Sequence, residues 1–365
     1  GANQAADNDA ELAKVRAARS LITRRTFLAG AGAAAGLGVS GGRSAPAGSA
    51  EPKTGPIVTH GVQSGDVNTS SGVVWARCDR PARMIVEVST TESFSDGRLL
   101  RGPAALENTD FTARLDLNGL PSGREIFYRV RFADLADVGT IGEPTVGRFV
   151  TAPANNDERD VVFVWGGDVA GQGWGINPEW GGMRSFATMR AVQPDFFLHC
   201  GDTVYADNPM VAEVPLANGE VWKNLLIPEK TKVAETLAEF RGQFKYNLLD
   251  EHVRRFAAEV PIFATWDDHE TVNNWYPDEM LTSERYTTRS ASLLAARGNR
   301  AFHEFMPIRR PSADPERIYR VVHYGPMLDV FILDMRSYRG ANGPNRQAEP
   351  GPESAFLGPA QVTWL

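Results

Sequence analysis

The chain has 365 residues, of which 42% are hydrophobic and 23% charged, and its formal net charge is −7. This length suits one or two globular domains, and the acidic balance argues against binding nucleic acid through a basic face. The two cysteines, Cys78 and Cys200, exclude a disulfide framework. No uninterrupted apolar run reaches the roughly 18 residues that a transmembrane helix needs.

An export signal is predicted at the N-terminus. The adjacent arginines Arg24 and Arg25 precede a weakly apolar, Ala/Gly-rich stretch at 29–39, and an Ala-Pro-Ala cleavage site follows at 45–47. This layout is typical of a twin-arginine signal. The alternative is an amphipathic helix, which the many glycines would weaken by about 1 kcal/mol each. Residues 1–52 are therefore expected to be signal peptide and linker, the export machinery a partner, and the mature protein periplasmic or secreted.

Residues 53–152 are predicted to form an all-β domain. Strand-like runs at 72–77 and 84–88 precede two segments with period-two alternation, 111–117 and 125–132. The Gly-Leu-Pro-x-Gly-x-x-x-x-Tyr-x-Val run that begins at Gly119 resembles a corner of fibronectin type III modules. Short strands at turn-rich intervals favour a fibronectin type III-like or immunoglobulin-like sandwich.

Residues 158–365 carry an α/β pattern instead. Apolar strands at 161–165 and 196–200 flank a helix-length segment at 182–192. This order predicts a β-α-β unit with parallel strands buried on both faces. The other predicted elements are helices over 233–256 and 290–305 and strands over 261–266, 319–324 and 328–333.

Acidic side chains follow three of these strands. Asp168 follows the first strand, Asp202 the second, and the pair Asp267-Asp268 the strand that ends at 266. Because neighbouring parallel strands end at one edge of a sheet, we expect these carboxylates to converge. Converging carboxylates repel one another unless a cation neutralises them. We therefore predict a bimetal centre bridged by Asp202, which generates hydroxide near neutral pH and polarises a phosphoryl oxygen.

Nearby polar residues suit the same chemistry. The phenol of Tyr205 has a free pKa of about 10 and needs a strongly charged ion such as Fe³⁺ to bind as phenolate. His269 could ligate a metal or act as a general acid, and Asn273 and Asn274 offer neutral oxygens. Arg336 is a planar donor for phosphate oxygens.

Each of these residues also has a simpler interpretation. A single aspartate after a strand is typical of a turn or cap, Tyr205 alone of a packed aromatic, and the acidic run 267–270 of a solvated helix start. The recurrence of acidic residues at three strand ends favours the metal site. Structural or surface roles are expected for His60, His252, His303 and His323.

The motifs resemble those of the PhoD-like alkaline phosphatases of the calcineurin-like metallophosphoesterase superfamily. The resemblance covers the twin-arginine segment and the motifs at 60–66, 201–205, 266–275 and 333–336. The Gly-Asp-x-x-Tyr element is also similar to that of purple acid phosphatases, in which tyrosinate binds ferric iron. The resemblance implies an α/β metallophosphatase-like domain, a β-sandwich core with flanking helices, that hydrolyses phosphate monoesters and diesters with Fe³⁺ and Ca²⁺.

The candidate metal ligands are Asp168, Asp202, Tyr205, Asp268 and Asn274, and the candidate catalytic residues are His269 and Arg336. Asp168 stands where many family members carry a cysteine, so the metal identity stays open. The family's C-terminal part, with further strands and His and Asp ligands, is not found before Leu365. The chain is thus expected to be C-terminally incomplete, to leave a sheet edge exposed, and to turn over poorly.

The leading hypothesis is a monomeric, exported, metal-dependent phosphatase or phosphodiesterase that acts on small phosphate esters through a metal-bound hydroxide. The alternative is a non-catalytic envelope or binding protein that carries a relic metallophosphatase domain. A phospholipase or nuclease acting on phosphodiesters is a third option. Neither the natural substrate nor the preference for monoesters or diesters follows from the residues.

Overall fold

A six-stranded mixed sheet forms the centre of the computed structural model, which describes residues 54–344 and 346–365. In sheet order its strands are β5 (Thr112–Asn118), β2 (Ser71–Cys78), β1 (Val58–Gly65), β12 (Ile262–Thr265), β9 (Phe196–Cys200) and β8 (Phe163–Gly166). Strands β1, β12, β9 and β8 are parallel to one another, whereas β2 is antiparallel to both β1 and β5. The predicted parallel β-α-β unit is confirmed, but the predicted burial of both faces is wrong for the edge strand β8, where Phe163 and Trp165 are exposed.

A second sheet is antiparallel and has four strands. In sheet order these are β4 (Arg98–Ala105), β3 (Ala82–Ser89), β6 (Glu125–Asp134) and β7 (Thr145–Val150). Its buried side chains share one hydrophobic core with those of β1, β2 and β5, so two sheets face each other, as the alternating pattern predicts. The strands predicted between 72 and 132 are confirmed, and the likeness to a fibronectin type III module remains a prediction.

Two short hairpins complete the strands. The first pairs β10 (Glu213–Pro215) with β11 (Val221–Lys223), and the second pairs β13 (Arg320–His323) with β14 (Asp329–Ile332). The strands predicted over 319–324 and 328–333 are therefore present, and they pair with each other.

The α-helices of the described chain are α1 (Arg184–Ala191), α2 (Leu237–Asn247), α3 (Glu251–Glu259), α4 (Ala291–Phe305) and α5 (Gly358–Trp364). Short 3₁₀ turns occur at Glu107–Thr109, Pro178–Trp180, Pro228–Lys230 and Pro352–Ser354. The helical region predicted over 233–256 contains two helices. Thr236 begins the first with a capping box to Glu239, and Asp250 caps the second. None of the helices in this part of the chain is long and apolar enough to cross a bilayer.

Aromatic side chains pack the helices onto the central sheet. Phe186 of α1 and Phe256 of α3 meet edge to face with ring centroids 5.5 Å apart, and Phe197 of β9 lies 5.3 Å from Phe256. Full burial of one such side chain stabilises the fold by roughly 1.5–3 kcal/mol. This packing holds β9 in the middle of the parallel strands.

The N-terminal strands and the α/β region share the central sheet. Strand β1 pairs with β12, with Gly65 opposite Ile262, and all described residues belong to one compact unit. The carboxylate of Asp66, just after β1, accepts two 2.8 Å hydrogen bonds from the guanidinium of Arg320. The predicted signal segment, residues 1–52, lies outside the described residues.

Candidate metal centre

Three neighbouring strands end at the same edge of the central sheet. The ladder pairs Gly166 of β8 with His199 of β9, and Cys200 of β9 with Thr265 of β12. The loops that follow these strands therefore start side by side. They carry the acidic residues that the sequence places after the strands.

Two of these carboxylates stand on left-handed backbone. The φ angle is 61° at Asp168 and 51° at Asp202, a conformation that costs a non-glycine residue about 1–3 kcal/mol unless its surroundings hold it. The backbone N–H of Val169 donates a 3.0 Å hydrogen bond to the carbonyl oxygen of Asp202 and joins the two loops. Backbone strain thus lies at two predicted metal ligands.

The densest group of ligand atoms comprises Asp202, Asp268 and His269. Each offers one atom, and these atoms lie within 4.8 Å of one another. Burial raises the pKa of Asp202 to about 6; His269 opposes the shift, and the carboxylates of Asp268 and Asp267 add to it. A cation would relieve this repulsion by stabilising the ionised carboxylates.

Tyr205 connects this group to Asp168. Its hydroxyl donates to Oδ1 of Asp168 and, over 3.2 Å, to Oδ2 of Asp202. Burial and these two carboxylates raise the pKa of the Tyr205 phenol far above its usual value. The Tyr205 hydroxyl therefore contacts two carboxylates, which favour its protonated form.

His269 is held by a residue that the sequence analysis did not single out. The Nδ1–H of His269 donates a 2.8 Å hydrogen bond to Asp207, which is buried and also accepts a bond from the backbone N–H of Asn273. Burial opposes a charge on His269, but Asp207 and the nearby carboxylates outweigh it and raise its pKa to about 9. The ring also stacks on Tyr205 with centroids 4.2 Å apart.

Glu270 is a second residue whose role the sequence did not reveal. It is fully buried, and its carboxylate accepts hydrogen bonds from the backbone N–H and hydroxyl of Thr203 and from the backbone N–H of Asp267. Burial raises the pKa of Glu270 to about 7. The side chain therefore fixes the loop after β9 to the loop after β12.

Arg336 reaches the site from the segment after β14. Its Nε–H donates to Asp267, and its Nη2 lies 3.6 Å from Asp268. The Nη1 group is buried and has no hydrogen-bond partner among the described residues. The carboxylate of Asp334 accepts bonds from the Arg336 backbone and from the indole N–H of Trp266, which holds this turn.

Asn274 contacts the centre through its backbone. Its N–H donates to Oδ2 of Asp268, and its φ of 55° is left-handed, but the residue is exposed. The structure thus gathers all the predicted site side chains except that of Asn274. One observable signal for Asp207 was a second acidic residue within the short segment that carries Asp202 and Tyr205.

The donors that converge are carboxylate and phenol oxygens with one imidazole nitrogen. The thiol of Cys200 is apart from this group and contacts the carbonyl oxygen of Leu198. Hard oxygen donors suit hard cations, so the donor set fits a metal centre.

Parallel strands that end at an acidic, oxygen-rich edge with an arginine beside it are the arrangement expected of a metallophosphatase-like protein. The family model "PhoD-like phosphatase" matches residues 163–365, and "PhoD-like phosphatase, N-terminal domain" matches residues 43–153. The chain belongs to the PhoD-like phosphatase family, which confirms the resemblance seen in its motifs.

Individual relatives agree with this assignment. Alkaline phosphatase D of Bacillus subtilis (strain 168) is 25% identical over 374 residues, an alignment that covers 94% of this chain and 59% of the relative. The solved structure of PhoD has a TM-score of 0.67 at 23% identity and covers 87% of this chain and 60% of that one. The chain thus spans about three fifths of both relatives.

A more distant likeness is to the purple acid phosphatase PPD1 from yellow lupin (Lupinus luteus) seeds. It has a TM-score of 0.45 at 15% identity and covers 74% of this chain and 43% of that one.

Proposed function

We propose that the protein is a metal-dependent phosphoesterase that hydrolyses phosphate esters at the acidic edge of its central sheet. The observation that carries the proposal is the convergence of Asp202, Asp268 and His269, whose ligand atoms lie within 4.8 Å of one another. Membership of the PhoD-like phosphatase family supports a phosphoric ester as the substrate.

The residues that would hold the metals are Asp168, Asp202, Tyr205 and Asp268, and Asn274 would position Asp268 through its backbone N–H. Fe³⁺ and Ca²⁺ are the proposed ions, because Tyr205 needs a strongly charged ion to lose its proton and the other donors are hard oxygens. Bound there, the ions would supply Lewis acidity that polarises the phosphoryl group and activates water.

Protein groups would do the rest of the chemistry. Asp207 engages Nδ1 of His269, which leaves Nε2 to give a proton to the departing alcohol oxygen. Without metal the pKa of His269 is raised to about 9; bound cations would lower it, and the carboxylate of Asp207 would still favour the protonated ring. The Nη1 group of Arg336, which has no partner among the described residues, would bind a phosphoryl oxygen as a charged donor.

The export of the protein and its division into domains are proposed from the sequence. The twin-arginine segment in residues 1–52 would direct export to the periplasm or beyond, and residues 53–152 and 158–365 would be the fibronectin-like and metallophosphatase domains. Export after folding would let the metals bind before the protein crosses the membrane.

The test is hydrolysis of a simple phosphate monoester and a simple diester by the purified protein, together with elemental analysis. We expect Asp202→Asn to lower the metal content and to reduce kcat/KM at least about 100-fold, because it removes a carboxylate from the centre of the ligand group. Glu92→Gln, which changes an exposed carboxylate, is the matched control.

An Asp202→Asn variant with the metal content and activity of the wild type would contradict the proposal. A wild-type protein that holds no metal and hydrolyses neither ester would instead favour the non-catalytic binding protein.

A further inference from the structure

Three tryptophans gather around the loop that follows β8 and carries Asp168. Trp222 lies between Trp174 and Trp180 and meets both edge to face, with ring centroids 5.8 Å and 5.3 Å away. Trp174 is 41% exposed and Trp180 is 43% exposed, so indole surface is open to solvent. We call Trp174, Trp180 and Trp222 the tryptophan platform.

The platform is connected to the loop that carries Asp168. Gly171, in the same loop, touches the ring of Tyr205 so closely that a β-carbon there would lie 2.5 Å from it. The backbone N–H of Trp174 donates a 3.0 Å hydrogen bond to the carbonyl oxygen of Gly171 and closes a turn. Because the ends of such a turn lie within about 7 Å, the backbone of Trp174 is one turn away from the glycine that packs on the candidate ligand Tyr205.

Asn224 fixes the platform from the other side. Its Oδ1 accepts hydrogen bonds from the indole N–H of Trp222 at 2.9 Å and from the backbone N–H of Gly175 at 2.7 Å. Its Nδ2 donates to the carbonyl oxygens of Gly173 and Val211, both at 2.8 Å. The hairpin β10–β11 and the Asp168 loop are thus joined by a buried amide, and a preorganised surface binds at a lower entropic cost.

The chemistry of the platform favours an uncharged ring. Indole faces and edges attract planar aromatic groups. A cation would bind more tightly if uncompensated negative charge also lay beside the rings. At the platform's rim Lys223 pairs with Glu179 at 2.9 Å, so these two charges offset each other. The exposed indoles are therefore suited to an aromatic group that approaches from the metal centre.

We propose that the tryptophan platform is a specificity subsite that binds an aromatic ring in the alcohol part of the phosphate ester. The proposal rests on the proposed phosphoesterase function, because the ester bond must lie at the metal centre while the ring reaches the platform.

The test compares benzyl phosphate with cyclohexylmethyl phosphate, two esters of similar size and leaving-group chemistry. We expect the wild type to prefer the benzyl ester in kcat/KM by roughly three- to tenfold. Trp174→Leu should bring the ratio close to one, chiefly through a loss of kcat/KM for the benzyl ester. The matched control is Trp165→Leu, which removes a tryptophan that is 71% exposed on β8 and should keep the benzyl preference.

An unchanged ratio in Trp174→Leu would overturn the subsite. A trimethylammonium ester that is preferred over both, with the preference lost in Trp174→Leu, would assign the platform to a cation and also overturn the proposal.

If neither ester is hydrolysed, the proposed phosphoesterase function is contradicted. The platform is then tested on its own by a binding measurement. Benzylphosphonate and cyclohexylmethylphosphonate would then be titrated against intrinsic tryptophan fluorescence. Tighter binding of the benzyl compound that Trp174→Leu abolishes supports the platform. Equal binding of the two compounds by the wild type rules it out.

Discussion

The charge of His269 depends on one buried carboxylate. Asp207 is 1% exposed and bonds to Nδ1 of His269 at 2.8 Å, which favours the protonated imidazole. The same contact sets the orientation of the ring. A substitution of Asp207 would therefore change both the protonation and the position of the proposed proton donor.

The metal-free protein should reveal this pair through the pH dependence of its stability. The folded pKa of His269, about 9, lies above its ordinary value of 6.5. The pair therefore stabilises the fold fully below pH 6.5, and this contribution is lost as the pH rises through about 9. Asp207 is buried, whereas the His269 side chain keeps 14% of its surface exposed, and we expect roughly 1–2 kcal/mol of this contribution after solvent screening.

Urea unfolding at pH 6 and pH 9.5 with a chelator present measures the effect. Between these pH values the wild type should lose roughly 1–2 kcal/mol more unfolding free energy than Asp207→Asn. Glu92→Gln should behave like the wild type. Equal losses in the wild type and Asp207→Asn would show that Asp207 does not hold the proton on His269.

Residues that directly follow strands could be predicted from the sequence, and their partners could not. Asp168, Asp202 and Asp268 follow apolar runs whose parallel pairing fixes where they meet. The contact between Asp207 and His269 spans 62 residues and has no local pattern. The alternative interpretation of 267–270 as a solvated helix start is wrong, since the segment forms a turn and fully buries Glu270.

At the scale of elements, the short helix α5 supports the turn that presents Arg336. Gln361 of α5 is 1% exposed. Its amide accepts from the backbone N–H of Asp334 at 2.8 Å and donates to the carbonyl oxygen of Asp334 at 2.7 Å. The helix therefore holds Asp334, which in turn holds Arg336 through its carboxylate.

Gln361→Leu should destabilise the protein by roughly 2–3 kcal/mol, because it leaves two buried backbone groups without partners. Urea unfolding measures this loss. Inhibition by inorganic phosphate should also weaken, because Arg336 loses its support. Val362→Ala, at a 59% exposed position of the same helix, should have little effect on either quantity. Unchanged phosphate inhibition in Gln361→Leu would show that α5 does not support Arg336 in phosphate binding.

The positions of the elements were largely predictable, because each depends on local periodicity. The predicted helix over 290–305 corresponds to α4. The single helical region over 233–256 was predicted less well. The break before α3 depends on Asp250, whose side chain caps that helix by accepting bonds from the backbone N–H groups of His252 and Val253.

At the scale of the whole molecule, the pairing of β1 with β12 and the ion pair of Asp66 with Arg320 join the two halves. Both side chains of the pair are more than nine-tenths buried. Removal of one partner from such a pair commonly costs about 3–5 kcal/mol, since the other charge is left buried without compensation.

Arg320→Met should therefore lower the free energy of unfolding by roughly 3–5 kcal/mol. Arg101→Met, which changes an exposed arginine of β4, is the control. The double variant Asp66→Asn with Arg320→Met should recover part of the loss, because no buried charge remains and asparagine tolerates the left-handed backbone at this position, where φ is 43°. A single variant as stable as the control would show that the ion pair does not matter to the fold.

The shared sheet was the part of the architecture that the sequence did not reveal. Residues 53–152 carry a complete all-β pattern, and no local signal shows that β1 pairs with a strand about 200 residues later. Family models divide the chain in the same region, with one match ending at residue 153 and the next starting at 163. The boundary between the two family models therefore does not coincide with a boundary between sheets, because the central sheet contains strands from both sides of it.

The pairing of β1 with β12 also has a consequence for biosynthesis. As the chain emerges from the ribosome, one edge of β1 stays unpaired until Ile262 and its neighbours have been made. Such an edge can pair with other chains, and a closure over this sequence distance is slow. The nascent protein would thus depend on protection by chaperones for most of its synthesis, and translation speed between the two strands would influence its yield.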